Sequence, residues 1–513
     1  MAHSYIEKYA QALSKMGTLP PDAPQGVLDI GSNSVRLVGY SGSARTPLPI
    51  YNERAFCRLG ESVSATGLIE GPPRDLALDT FRRFRVIADQ LGIQQLAAFA
   101  TAAVRDAENR DEFIAEAEAV LGHKIRILSG DEEAVLSADG VMLGIPEADG
   151  LVADLGGGSL ELALVQNDEV HHLVSLPLGV LALSEAAGGD ADAMRQIVKD
   201  ALSETDWLTK TADKAIYIVG GTWRAMAKLL MENMNYPLHV LHQFETDAYE
   251  MKRFCRLVSS GQIDTRDVAS NRRDALPVAA LVLEELMHIA APKTITVSAN
   301  AVREGVLYTE LKKSYRRLDP LLLACEEMAE RLCKSAAYGH ELAVWTDALF
   351  AHVAADDFAP EELNRLRQAG CLISDLAWDS HPSFRADMVS QTVLTAPFAG
   401  ISHKGRVFLA RALSFRHEVS EQDANFDALR LSPHDDRLAQ AFGLSLRLAH
   451  SLSASLPGVL PSTRLKASSD KMKLTLSEQH VDLNGPIIEK RLRVTAEALG
   501  LDGDLRVGEL EEH

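Results

Sequence analysis

One hairpin, written twice, constrains this chain more than any other feature. Val27-Leu28-Asp29-Ile30-Gly31-Ser32-Asn33-Ser34-Val35-Arg36-Leu37-Val38 and Val152-Ala153-Asp154-Leu155-Gly156-Gly157-Gly158-Ser159-Leu160-Glu161-Leu162-Ala163 follow the same pattern. An apolar run ends in Asp, an apolar residue and Gly, passes two small residues and Ser, and resumes as a second apolar run. That is strand, tight turn, strand. Two copies predict two halves built alike. An Asp at the end of a buried strand, beside a glycine-bearing turn, sets a carboxylate next to backbone N–H groups that phosphate oxygens can approach closely. A single Asp turn is commonplace. The repetition is what points to a metal-phosphate site assembled from both halves.

The segments between and after the hairpins alternate. Leu76, Leu78, Phe81, Phe84 and Ile87 have helical spacing within 74–92, and 96–101 reads as a strand. A helix over 110–122 and a strand over 124–128 follow. After the second hairpin come a helix near 192–208, a strand at 215–219, a helix from Thr222, a helix over 274–290 and a strand at 294–298. This alternation predicts α/β layers. Beyond Leu318 amphipathic helices take over at 321–337, 341–355 and 360–377, continuing through Leu446. The stretches 471–476 and 480–483 read as a hairpin, with a helix over 486–499. With 513 residues the chain needs several cores. The expected units are two α/β lobes over 20–145 and 146–313, a helical domain over 314–450 and a small α+β domain over 451–513.

A net charge of −20 argues against a general electrostatic footprint for DNA or RNA, so any polyanionic substrate requires a local basic track. No run of about 18 apolar residues appears. Glu7, Lys8 and Lys15 interrupt the first residues where a leader needs an apolar stretch. These features read as a soluble cytoplasmic protein that neither spans nor sits on a membrane. Cys57, Cys255, Cys325, Cys333 and Cys371 are scattered, without the paired spacing of a zinc site, and read as reduced, mostly buried thiols.

Four further motifs join the hairpins: Ala100-Thr101-Ala102-Ala103-Val104-Arg105-Asp106-Ala107, Ile127-Leu128-Ser129-Gly130-Asp131-Glu132-Glu133-Ala134, Gly220-Gly221-Thr222 and Val302-Arg303-Glu304-Gly305-Val306-Leu307. In order and spacing across residues 25–313, the set resembles the exopolyphosphatase and guanosine pentaphosphate phosphohydrolase (Ppx/GppA) family of the actin and sugar-kinase superfamily. The resemblance implies two actin-like, ribonuclease H-like lobes with a facing cleft, then a helical HD-like domain and a small C-terminal α+β piece. It implies Glu133 as the general base that takes a proton from the attacking water. The competing reading is that Glu132 and Glu133 merely open a solvated helix. By the same resemblance Asp154 and Glu161 hold Mg²⁺, with Asp29 nearby on the opposite lobe. A monovalent cation such as K⁺ stays open as an addition. Ser32, Asn33, Ser34, Arg36, Gly157, Gly158 and Ser159 are expected to bind phosphate, and Arg105 to hold a nonbridging oxygen by its planar fork. Gly221 and Thr222 join them from a loop that lies on the nucleoside side in the superfamily; Trp223 and Arg224 depart from its small-residue pattern.

The helical region falls where family members carry a domain related to HD metal phosphohydrolases. Here Ser374-Asp375 replaces the His-Asp pair, and His352, His381, His403 and His417 are not followed by Asp. His434-Asp435, after Pro433, reads as part of a loop. The domain is therefore expected to serve binding or dimerisation, giving a homodimer. Lys404, Arg406, Arg411 and Arg416 are candidates for a phosphate track, against the plainer reading of a solvated helix face. The function implied is exopolyphosphatase, releasing orthophosphate from the ends of inorganic polyphosphate. The neighbouring alternative is a guanosine pentaphosphate 5′-phosphohydrolase. A non-catalytic polyphosphate or nucleotide sensor is disfavoured because Glu133, Asp154 and Glu161 are all present.

Overall fold

In a computed structural model, which describes residues 24–42, 45–350, 353–417 and 429–510, each hairpin forms the centre of its own sheet. The first sheet comprises β1 (Gln25–Ile30), β2 (Val35–Ser41), β3 (Leu48–Ala55), β4 (Gln95–Ala100) and β5 (Ile125–Ile127), in the order β3-β2-β1-β4-β5. The second comprises β6 (Gly150–Leu155), β7 (Leu160–Gln166), β8 (Glu169–Leu176), β9 (Ala215–Val219), β10 (Glu245–Asp247) and β11 (Thr294–Val297), in the order β10-β11-β9-β6-β7-β8. Both are antiparallel meanders extended by parallel strands, β4 and β5 in one, β9 and β11 in the other. The duplication thus extends well beyond the twelve residues in which it is legible. It includes two strands that the sequence analysis did not anticipate, β3 and β8, whose half-exposed faces carry only a weak apolar signal.

The hairpin strands are apolar on both faces because helices cover them. Leu28, Ile30 and Leu37 pack with Phe81, Phe84 and Phe113 of flanking helices. Val152, Ala163 and Val165 pack with Val219, Val141 and Tyr308. A third cluster joins Val27, Val38 and Phe99 of the first sheet to Leu136, Val302 and Leu307. Those last residues belong to the helices Gly130–Gly144 and Val302–Glu310, which cross at a pair of glycines, Gly140 and Gly305. The described residues up to Arg317 form one compact unit.

The chain from Leu318 belongs to a second unit. It contains the helices Pro320–Leu332, Ala336–Phe350, Pro360–Leu372, Arg385–Thr395, His403–Arg416 and Pro433–Ser453, then β12 (Thr463–Ala467), β13 (Lys471–Leu476), the helix Pro486–Ala498 and β14 (Asp502–Val507). The expected hairpin of 471–476 with 480–483 does not form. β13 pairs with the upstream β12 and, in parallel, with β14, while Glu478–Leu483 is a 3₁₀ turn.

The helical-domain cations fit neither the candidate phosphate track nor, for Arg406 and Arg416, a solvated face. Arg406 is 1% exposed and caps buried carbonyls, donating to Ala396 O at 2.7 Å and Phe398 O at 2.9 Å. Arg416 bonds Asp375 at 3.1 Å, Arg411 bonds Asp436 at 2.9 Å and Lys404 bonds Asp357 at 2.5 Å. Their charges are engaged within the domain, so they form no open phosphate track. Asp375 is buried and also accepts from Ser455 at 3.0 Å. His434-Asp435 opens the helix Pro433–Ser453 and does not lie in a loop, and the Asp435 carboxylate accepts the amides of Asp356 and Asp357. His352 lies outside the described residues, as do residues 1–23 with the leader reading made on them. Among the described residues no helix is long and apolar enough to cross a membrane. Four of the five cysteines are buried and Cys333 is half-buried, all of them free thiols.

Candidate active site

The two hairpin turns are closed alike. Gly31 N donates to Ser34 O at 3.0 Å, and Gly156 N donates to Ser159 O at 3.0 Å. Each turn is braced from outside: Gly60 N reaches Ser32 O at 2.8 Å and Arg58 N reaches Asn33 O at 3.1 Å, while Val180 N reaches Gly156 O at 3.1 Å and Leu181 N reaches Gly157 O at 2.9 Å. The turns also approach one another. A methyl on Gly157 would stand 3.4 Å from Cβ of Ser32, and one on Gly158 would stand 3.1 Å from Cβ of Ala102, so side chains there would fill the space between the lobes. Asp29 pairs in register with Arg36, and Asp154 with Glu161. Directly opposed residues share a sheet face, so each hairpin presents a carboxylate and a second charged group together.

Glu132 and Glu133 have different fates. Ser129 caps the helix Gly130–Gly144 by accepting from Glu132 N at 3.1 Å, and the Glu132 carboxylate accepts from Ser129 N at 2.8 Å, a reciprocal capping box. Glu132 also meets Arg126 near the surface. The next residue is rotated about 100° around the helix, which turns Glu133 inward to 14% side-chain exposure. The solvated-helix reading therefore describes Glu132 and not Glu133. Glu133 Oε2 has no hydrogen-bond partner among the described residues, and its nearest cation is Arg105 Nη1 at 3.5 Å. Arg105 follows β4 on a single helical turn and is held by Leu128 O at 3.1 Å.

Carboxylates crowd this side of the site. Burial, then the charges of Glu161 and Asp154, push the Glu133 carboxyl well above the ordinary range, against the pull of Arg105. Burial and Asp154 raise Glu161 to about 7, although Ser159 and Ser175 bond it, the latter at 2.9 Å. Asp154 is raised by burial, which outweighs its bond from Ser137 and the nearby charges of Arg224 and Arg303. Among the described residues no three His, Cys, Asp or Glu side chains form a ready-made metal cage. A hard divalent cation held by one or two carboxylates and completed by water and phosphate oxygens needs none. The buried, closely spaced Asp154 and Glu161 are the donors whose repulsion such an ion would relieve, and they leave Glu133 Oε2 unbonded beside them.

Opposite these acids stands a group of arginines that the sequence analysis only partly identified. Arg303 donates to Asp29 at 2.8 Å, is 8% exposed, and lies within electrostatic reach of Asp154. Asp29 is thereby engaged by an arginine. Arg36 bonds Asn52 at 2.8 Å; burial, with Arg303, Arg54 and Arg224 close by, lowers it to about 9. Arg224, anchored on Gly220 O and Ala299 O at 3.0 Å each, is lowered to about 10 by burial and by Arg303. Arg54 is lowered by burial and by Arg272. The Arg272 guanidinium rests against Gly221, with Nη2 3.0 Å from where a Cβ would stand. Arg36, Arg54 and Arg224 are each lowered in part by neighbouring guanidiniums, while Glu304 and Asp29 hold Arg303 up, and the group concentrates positive charge that an anion would relieve. Gly221 and Thr222 open the helix Gly221–Asn233 beside this group. Trp223 breaks the small-residue pattern because it is core, fully buried with its indole on Ala279 O at 2.9 Å. Arg303 was visible within its motif without a role. Arg54 sits on the unanticipated β3, and Arg272 on a single turn too short to show periodicity.

The model of the Ppx/GppA phosphatase family matches residues 40–314, and that of the exopolyphosphatase C-terminal domain matches 321–504. Retrograde regulation protein 2 of Saccharomyces cerevisiae is 28% identical over 437 residues, covering 76% of this chain and 72% of that protein. Exopolyphosphatase 1 of Mycobacterium leprae is 27% identical over 307 residues, 56% of this chain and 89% of that one. A guanosine-5′-triphosphate,3′-diphosphate pyrophosphatase of Aeromonas salmonicida is 25% identical over 330 residues, 60% of this chain and 65% of that one. Among solved structures, an exopolyphosphatase from Cytophaga hutchinsonii superposes with a TM-score of 0.51 at 23% identity, covering 56% of this chain and 97% of that one; it supports the fold.

Proposed function

Because the chain belongs to the Ppx/GppA phosphatase family, and is a phosphatase on that ground, we propose that it releases orthophosphate from the ends of inorganic polyphosphate. Glu133 is the observation that carries this reading. It is an inward-facing carboxylate with one unbonded oxygen, placed beside Arg105 and two facing glycine turns. A water lodged there has a base within reach, and in-line attack on a terminal phosphorus needs little else from the protein beyond positioning and charge. Among the described residues the amides of Gly157 and Gly158 have no acceptor and can receive phosphate oxygens. Arg105 pairs with a nonbridging oxygen by its fork. Asp154 and Glu161, with Asp29 nearby, are the residues that would hold Mg²⁺, which when bound neutralises charge on the phosphate being transferred. Ser137 and Ser175 orient those two carboxylates by hydrogen bonds. Arg36, Arg54, Arg224, Arg272 and Arg303 neutralise the phosphates that follow the terminal one.

One observation favours a second substrate, guanosine pentaphosphate. Phe56 is 43% exposed beside Arg54, whose guanidinium lies 6.0 Å from the ring centroid, and such a pair can stack a purine. The discriminating experiment compares orthophosphate release from long-chain polyphosphate and from guanosine pentaphosphate at equal concentrations of 5′ or terminal phosphate, with Mg²⁺ and with EDTA. Faster, Mg²⁺-dependent release from polyphosphate is expected. Preference for the nucleotide, lost in Phe56→Ala, would transfer the reading to the second substrate.

A further inference from the structure

The residue after Arg303 in its motif, Glu304, takes no part in the chemistry of the cleft, yet it is buried beside it. Arg36, Val38 and Tyr40 stand at alternate positions of β2 and so share a face. That face packs on the helix Val302–Glu310, where Val38 meets Val302 and Leu307. Next to this contact Tyr40, 3% exposed, donates its hydroxyl to Glu304 Oε1 at 2.6 Å. The other oxygen, Oε2, accepts from Ala301 N at 2.8 Å, which ties down the start of the helix on which Arg303 sits. Both Glu304 oxygens are bound to protein donors, so in this arrangement it serves as neither metal ligand nor base.

What Glu304 faces is cationic. Burial opposes the charge of Arg303, and Glu304 is the strongest influence sustaining it, ahead of Asp29. The same carboxylate draws Arg36 and Arg224 upward, although burial and neighbouring guanidiniums lower both on balance. One buried anion thus answers three cations, from β2, the helix Gly221–Asn233 and the helix Val302–Glu310. Without it these guanidiniums would repel one another where little water can screen them. Burial first, then Glu304, push the Tyr40 phenol far above its ordinary range, so it remains a donor. Arg303 is only partly used. Its Nη1 is on Asp29 at 2.8 Å, whereas Nε is buried with no hydrogen-bond partner among the described residues, a donor left for an anion.

We propose that Tyr40 and Glu304 are positioning residues of the phosphate site: touching no substrate themselves, they hold Arg303, and with it Arg36 and Arg224, where the phosphates behind the terminal one arrive. The proposal rests on the phosphate-chain reading of the cleft. Tyr40→Phe is the informative change, because it removes one hydroxyl and no charge. The carboxylate still attracts the arginines but loses the bond that fixes it to β2. The group loosens, and a phosphate chain must order it on binding.

The test uses the full chain carrying Glu133→Gln, so that ligand is not consumed. Tripolyphosphate binding with Mg²⁺ is measured by calorimetry, with and without Tyr40→Phe, Arg303→Lys and the two together. Tyr40→Phe is expected to weaken binding about tenfold at unchanged stoichiometry. On the Arg303→Lys background the same change should cost less than about twofold, because residues that act through one another are not additive. Stoichiometry that falls while the remaining sites keep their affinity would show a merely structural role and overturn the proposal. So would an equal loss in both backgrounds, or no loss in either. A chain that binds no tripolyphosphate even with Tyr40 present contradicts the phosphate-chain reading itself. Release from polyphosphate and from guanosine pentaphosphate is scored separately with Glu133 intact, so a wrong choice between those substrates shows there and leaves the binding result to decide the roles of Tyr40 and Glu304.

Discussion

Replacing Glu133 with Gln lowers orthophosphate release by about 10²-fold or more while leaving the thermal midpoint unchanged or raised. The two halves of this expectation have one cause. Glu133 is turned inward by a helix whose cap is supplied by Ser129 and Glu132, so the substitution leaves the capping box intact. Gln has the shape of Glu without its charge. Removing that charge takes a carboxylate out of a site where burial, Glu161 and Asp154 all oppose its ionisation. The fold loses an unfavourable term, and the attacking water loses its base. Substrate affinity should hold, because the turn amides and the arginine group are untouched. Undiminished release would refute the base assignment. A large fall in thermal midpoint alongside lost release would instead make Glu133 structural.

The second large effect lies in the fold that aims Glu133. A Cβ on Gly305 would stand 1.8 Å from the carbonyl oxygen of Leu136, and one on Gly140 would stand 2.1 Å from that of Ala301. The helices Gly130–Gly144 and Val302–Glu310 therefore touch backbone to backbone, and Gly305→Ala must push them apart. Overpacking of this kind costs about 3 kcal/mol. The displaced helix carries Glu133 in its first turn and Ser137 on Asp154, and a shift of about 1 Å in a catalytic group can itself cost about 10²-fold. Gly305→Ala should lower the urea midpoint of the first unit and lose most release even where folded. Gly485→Ala is the control: its backbone is extended, a Cβ there meets nothing within 4 Å, and its effect should stay within about 0.5 kcal/mol. Equal stability of the two variants would contradict the backbone contact.

What was legible in the sequence follows from how locally each feature is encoded. The hairpins could be read because Asp, Gly and Ser at fixed offsets specify a turn through backbone requirements alone, and the structure closes both turns with the same bond. Long helices with a single apolar face were readable for the same reason. Strands β3 and β8 escaped notice because they are half-exposed and lack a strong alternation. Which of Glu132 and Glu133 stays at the surface follows from the local cap between Ser129 and Glu132, but the consequence, burial of Glu133 against carboxylates of another sheet, is tertiary. Arg54, Arg224, Arg272 and Arg303 come from four separate elements, and no local pattern could have announced their meeting. The helical-domain cations, read either as a candidate phosphate track or as a solvated helix face, were obscured in a similar way. Arg406 and Arg416 look like surface charges in a helical register, yet Arg406 answers the buried carbonyls that end the preceding helix and Arg416 a buried Asp distant in sequence. The small sheet was misread because β13 takes its partners from β12, just upstream, and from β14, which lies beyond a whole helix.

The most direct test is hydrolysis of long-chain polyphosphate in H₂¹⁸O with Mg²⁺, following the label by mass spectrometry in the protein with Glu133 and in the Glu133→Gln variant. Water attack on the terminal phosphorus predicts one ¹⁸O in each orthophosphate released, none at the new chain end, and almost no labelled product from the variant. Label appearing on the shortened chain, or labelled orthophosphate released equally by both proteins, would contradict the account.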